Sequence, residues 1–124
     1  MRHSRHYTVE QAMAAREFAA TRVRRIRDAQ RRLAALGPEA GAGLDPRSGG
    51  SYPGRERAIA TVTLSRALVE LEAVEVVVRD VERGLVDFPA IRDNREVYLC
   101  RLIDEPEIGH WHPIDEGFAG RRPL

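Results

Sequence analysis

Two imidazoles stand one residue apart at His110-Trp111-His112. Strand alternation would put both on one face, within reach of a single divalent metal ion. Asp115 or Glu116, just beyond, would add a hard oxygen ligand, and Cys100 a thiolate. The metal expectation is therefore His110, His112 and Asp115. Against it, His-x-His has no further ligand here at a diagnostic spacing. The competing expectation is a surface His110 and a His112 hydrogen-bonded to the tail. Cys100 lies mid-strand with no histidine beside it in sequence, as packing thiols do. No nucleophile–base motif is visible.

A second group is the arginine run Arg22, Arg24, Arg25, Arg27, Arg31 and Arg32, opposed locally by Asp28 alone. Such a face suits phosphate or nucleic acid. The run holds no aromatic residue that could stack a base. Glu70, Glu72, Glu75, Asp80 and Glu82 crowd the second half of the hairpin, so two helices of opposite charge account for both sets without a ligand. A third group closes the chain: Asp115-Glu116-Gly117-Phe118-Ala119-Gly120-Arg121. Its glycines permit a sharp turn around Phe118, an apolar anchor that docks the tail. Arg121 is then expected to pair with Asp87 or Asp115, or to hold an anionic ligand.

The elements that must position these groups are legible in the periodicity. Thr8-Val9-Glu10-Gln11 is a capping-box pattern. Behind it Ala12, Ala15, Ala19, Val23, Ile26, Ala29, Leu33 and Leu36 recur at steps of three and four. Gly37-Pro38 supplies a left-handed cap and a stop, which places a first helix over 8–36. From 37 to 54 the chain is rich in glycine and proline, a flexible linker. It lacks the Gly-Lys-Ser/Thr ending of a phosphate loop. Ile59, Val62, Leu64, Leu68 and Leu71 mark a second helix over 55–76, its end blurred by the stiff Val76-Val77-Val78. Beyond Gly84 the period shortens: Leu85–Pro89, Glu96–Ile103 and Glu107–His112 read as three strands, with turns at Asp93-Asn94 and Asp104-Glu105-Pro106. Pro89 marks an edge or a strand end, and residues 113–124 form an irregular tail. The fold class is α+β, a long antiparallel two-helix hairpin followed by a three-stranded antiparallel meander.

Composition narrows the classes. The 124 residues suit one domain, and 43% are hydrophobic. Twenty basic and 19 acidic side chains leave a formal charge of +1, too little for a global field toward nucleic acid or an anionic membrane. Every basic residue is arginine, spread along the chain as GC-rich codon usage would spread it. A single cysteine fits a reducing compartment, and no apolar run suits a signal or a membrane span. The expected location is the cytoplasm. A first helix ~43 Å long exceeds the dimensions of a compact globule, with a radius of gyration of ~14 Å at this length. Two hairpins are therefore expected to pair into a homodimeric four-helix bundle.

The segments 80–90 (DVERGLVDFPA), 95–100 (REVYLC), 105–108 (EPEI), Trp111-His112 and 115–121 (DEGFAGR) resemble the bacterial and archaeal family catalogued as domain of unknown function 2203. The family usually has tryptophan after the cysteine, where this chain has Arg101, and more often an aromatic where His110 stands. The resemblance implies a small single-domain protein whose C-terminal meander is the functional half, with Asp87, Cys100, Trp111, His112, Asp115 and Arg121 matched. It implies no activity. The leading expectation is a non-enzymatic, homodimeric interaction or small-ligand-binding protein, its ligand site formed by Asp87, Trp111, His112, Asp115 and Arg121. The alternative is a metal-dependent enzyme or sensor using His112 and Asp115, and a second is an arginine-face nucleic-acid binder.

Overall fold

A computed structural model describes residues 1–37 and 52–124. Of the linker expected over 37–54, residues 38–51 lie outside the described part. Helix α1 runs Val9–Leu36, with Thr8 as its cap. The Thr8 hydroxyl accepts from the Gln11 amide at 3.0 Å, and the Gln11 side chain accepts from the Thr8 amide at 3.0 Å, the reciprocal box read from the sequence. At the other end Gly37, at φ 75°, donates back to the Leu33 and Ala34 carbonyls.

Helix α2 spans Tyr52–Ala73, not 55–76. It stops early because Glu75 turns left-handed at φ 57°, while the Val74 and Val76 amides close onto the Leu71 carbonyl. The β-branched residues that follow then run extended. The two helices meet along Ala19, Val23 and Ile26 on α1 and Ala67 and Leu71 on α2. Opposite charges border the seam as expected. Arg22 meets Glu70 at 2.7 Å and Arg32 meets Glu56 at 2.9 Å, while Arg31 reaches Glu82, past the end of α2, at 2.6 Å. Such partly exposed pairs steer pairing more than they stabilise it.

The sheet has five antiparallel strands in sequence order, not three: β1 Val77–Asp80, β2 Leu85–Arg92, β3 Arg95–Leu102, β4 His110–Pro113 and β5 Arg122–Pro123. The valine run behind α2 is itself the first strand. The expected third strand begins at His110 rather than Glu107, and the tail carries a single 3-10 turn, Phe118–Gly120, before β5. Asp93 and Asn94, at φ 52° and 62°, make the tight two-residue hairpin between β2 and β3.

Pro89 sits inside β2, where a proline would ordinarily cost a ladder bond. On the flank toward β1 the last partner is Val77, opposite Asp87, so no strand donor or acceptor faces Pro89 there. The Tyr7 amide takes the vacant Pro89 carbonyl at 2.6 Å. Locally β2 is an edge, as its proline suggests.

One face of the sheet (Val86, Phe88, Ala90, Val97 and Leu99) joins Tyr7, Ala12, Ala20, Ile26 and Leu71 in a single core under the helices. Arg101 also points that way. It is 3% exposed, and its guanidinium donates to the Glu105 and Arg16 carbonyls, tying the sheet to α1.

Residues ahead of α1 form an arm across the sheet, for which the sequence carried no periodic signal. Glu75 accepts from the Ser4 hydroxyl at 2.8 Å and the Arg5 amide at 2.7 Å. Glu96 accepts from the Arg2 amide at 2.7 Å, the His3 amide at 2.9 Å and the His6 ring at 2.8 Å. Burial alone would raise the Glu96 pKa, but these bonds outweigh it and hold the carboxyl at about 2. Because the folded value is depressed, the arm's attachment through Glu96 is fully present above the ordinary carboxylate range near ~4.3 and fades as pH falls toward about 2. Protection of the Arg2 and His3 amides, taken relative to the intrinsic exchange rate at each pH, should therefore fall as pH drops toward about 2, and Glu96→Gln should remove that change. An exchange rate indifferent to the substitution would break the assignment.

Candidate functional site

Register across the central strands gathers the chemistry. Asp87 lies opposite Cys100 in the β2–β3 pair, and Cys100 lies opposite His110 in β3–β4. One row along, Pro89 faces Tyr98 and Tyr98 faces His112. Alternation puts all of these on the face turned away from the helices. The β1 bulge between Val78 and Asp80 adds one residue to the strand, and Arg79 turns to the same face. This face is nonetheless buried: Asp87 and Cys100 are 0% exposed and His112 is 1% exposed. His3 from the arm contributes, its Nε2 2.7 Å from the Tyr98 hydroxyl. The tail contributes through Phe118, clamped between the guanidinium groups of Arg83 and Arg121 at 4.5 and 5.1 Å from its ring centre.

The protons at His112 follow from its partners. Nδ1 lies 2.8 Å from the Pro113 carbonyl, which can only accept, so Nδ1 carries hydrogen. Nε2 lies 3.0 Å from Asp87 Oδ2, which also accepts from Arg79 Nε at 2.8 Å. Both ring nitrogens thus face acceptors. Burial alone lowers the His112 pKa, but the bonds to Asp87 and Pro113 outweigh it and raise it above the ordinary histidine value. The group is a buried histidine–aspartate pair, with the Arg79 guanidinium on the same carboxylate oxygen. The Cys100 thiol is pushed up to about 12, first by burial and then by the neighbouring Asp87 carboxylate. Asp87, Cys100 and His112 each offer one metal-ligand atom, all within 4.8 Å of one another. Asp87 Oδ1 is buried with no hydrogen-bond partner among the described residues.

A family model described as an uncharacterized conserved protein (DUF2203) matches residues 5–124. The chain belongs to this family. DUF2203 membership takes in both helices and the second half of the arm, well beyond the 80–121 segments that carry the sequence resemblance. Neither curated proteins nor solved structures provide a match.

In this DUF2203 chain the expected site residues separate into two neighbourhoods. Asp87 and His112 come into direct contact, joined by Cys100. Trp111 points to the opposite face, packs against the core, and lies under the guanidinium groups of Arg92 and Arg122 at 4.7 and 5.2 Å. Asp115 is exposed in the turn after β4 and is not in the cluster. Arg121 pairs with neither Asp87 nor Asp115. It reaches Glu105, while its charge bears on the Cys100 thiol. His110 shares the face of His112 but lies in the neighbouring row. The residue that sequence reasoning left out is Arg79, whose only sequence-level trace is its place after a β-branched run.

Proposed function

We propose that this protein is a non-enzymatic interaction protein that works as a homodimer, assembled through α2. One observation carries the reading: α2 is amphipathic on both sides. Its inner side packs on α1, while Ile59, Val62 and Val69 are 67, 55 and 63% exposed on the outside. Ala58, Ser65 and Ala73 are exposed along the same stripe, and Leu68 lies on its flank. Scattered surface hydrophobes need no explanation, but a continuous stripe at steps of three and four does.

The stripe suits a second copy of itself. In an antiparallel pair centred between Ser65 and Arg66, Val62 of one chain meets Val69 of the other, and Ala58 meets Ala73. An isologous contact requires such reciprocity. The exposed parts of Ile59, Val62 and Val69 offer on the order of 300 Å² per copy, and with Leu68 and the small residues the pair approaches the roughly 1,000 Å² of a stable interface. The sheet supports the non-enzymatic half of the reading. A thiol held at about 12 is a poor nucleophile near neutral pH. The Asp87 carboxylate and the His112 imidazole are 0 and 1% exposed, so neither faces solvent directly.

Light scattering on the full chain at micromolar concentration should give twice the chain's mass. Val62→Glu combined with Val69→Glu should give monomers with unchanged helical circular dichroism. A monomeric wild type, or a double variant that stays dimeric, would remove the proposal.

A further inference from the structure

Four buried side-chain polar atoms lack a hydrogen-bond partner among the described residues: Arg27 Nε, Asp87 Oδ1, His110 Nδ1 and Arg121 Nε. Buried orphans are rare, and each calls for a bound water or ion. Three of the four belong to one neighbourhood. Asp87 and His110 flank Cys100 in the same row of the sheet, and the charge of Arg121 bears on the Cys100 thiol.

We propose that Asp87 Oδ1, Cys100 Sγ and His112 Nε2 bind a divalent transition-metal ion of the zinc class. The donor set selects the metal: a thiolate and an imidazole favour zinc-like ions over magnesium or calcium, and one carboxylate oxygen completes a usual zinc triad. Ligand atoms around a tetrahedral zinc stand about 3.3–3.8 Å apart, and one ligand atom from each of the three residues already lies within 4.8 Å of the others, so about an ångström of approach is needed.

The surrounding bonds are those that metal ligands normally receive. The Pro113 carbonyl holds hydrogen on Nδ1 and so assigns Nε2 to the metal, while Arg79 donates to Oδ2 and the Cys100 thiol lies against the same carboxylate. Binding needs a thiolate and an unprotonated Nε2, so it releases protons and offsets part of the charge the ion brings into the interior. A fourth position would remain open to a water. A centre this enclosed acts as a clamp across β2, β3 and β4, and it is independent of the α2 interface.

The test uses the full chain, stripped with chelator and titrated with cobalt(II). The expected result is one equivalent bound, with the near-ultraviolet charge-transfer band of a thiolate–cobalt bond, and a rise in thermal midpoint on adding zinc. Cys100→Ala should lose the band, and His112→Gln should weaken binding at least tenfold. Absence of the band in the wild-type chain overturns the proposal whatever the variants do. So does a band of full intensity in Cys100→Ala. Cobalt bound without the band would belong to the His3 and His6 arm and would equally count against it.

Discussion

Asp87→Ala should lower the free energy of unfolding by about 3–5 kcal/mol, measured by urea denaturation in chelator-treated protein. The carboxylate is 0% exposed and is the counter-ion of His112, itself 1% exposed. Its removal leaves Nε2 without its acceptor and strips Arg79 of its 2.8 Å partner. The cost is that of a stranded interior charge, not the worth of the pair, and a buried pair replaced outright is often nearly neutral. His112→Ala made together with Asp87→Ala should therefore recover part of the loss, with a coupling of about 2 kcal/mol in a double-mutant cycle. Asp87→Asn keeps the shape and one acceptor, so it should fall between wild type and alanine. A loss below about 1 kcal/mol for Asp87→Ala would mean that the histidine–aspartate pair does not hold the sheet face together.

Gly84→Ala should be comparably damaging, at about 2–5 kcal/mol, through backbone and packing at once. Gly84 turns the chain between β1 and β2 at φ 72°, a left-handed conformation that a Cβ disfavours. An added Cβ would lie 2.5 Å from Ile103 Cγ1 and 2.9 Å from its Cδ1. Ile103 is 1% exposed and fixed in place, its amide donating to the Gly84 carbonyl at 2.8 Å, so it cannot step aside. The two contributions separate in an Ile103→Ala background, where the collision vanishes and only the backbone cost of about 1–2 kcal/mol should remain. If the penalty were equal in both backgrounds, the close contact with Ile103 would not be its source.

How far the sequence reaches differs by element. The start of α1, its buried stripe, the Gly37 cap and the Asp93-Asn94 turn were all legible, because each depends on residues within a few positions of one another. The exchange of charge between the arginine run and Glu70 or Glu82 was legible for a related reason, opposite charges recurring along the two halves of the hairpin, whereas Glu56 is not among the acidic residues that the sequence singles out. The end of α2 and the whole of β1 were blurred, because Val76-Val77-Val78 suits a buried helix turn and a strand alike. β5 was invisible, since two residues carry no period and pair only because β4 is already there.

The site shows the limit most clearly. His112 and Asp87 were both singled out from sequence, yet what joins them is register. Asp87 meets Cys100, Cys100 meets His110 and Tyr98 meets His112 only when both hairpins keep their observed turn lengths, since a slip of one residue reverses every face. The same counting sends Trp111 to the core and leaves Asp115 in solvent, although both are near neighbours of His112 in the chain. Arg79 enters through a bulge, and His3 through an arm anchored by Glu75 and Glu96, residues 72 and 93 positions away. The sequence by itself determined the two rods, the caps of the first and the change of period that follows them, because helix and turn preferences are local free energies. Only the tertiary structure decided that a carboxylate, a thiol and an imidazole share one dry point, because strand register and burial belong to the sheet as a whole.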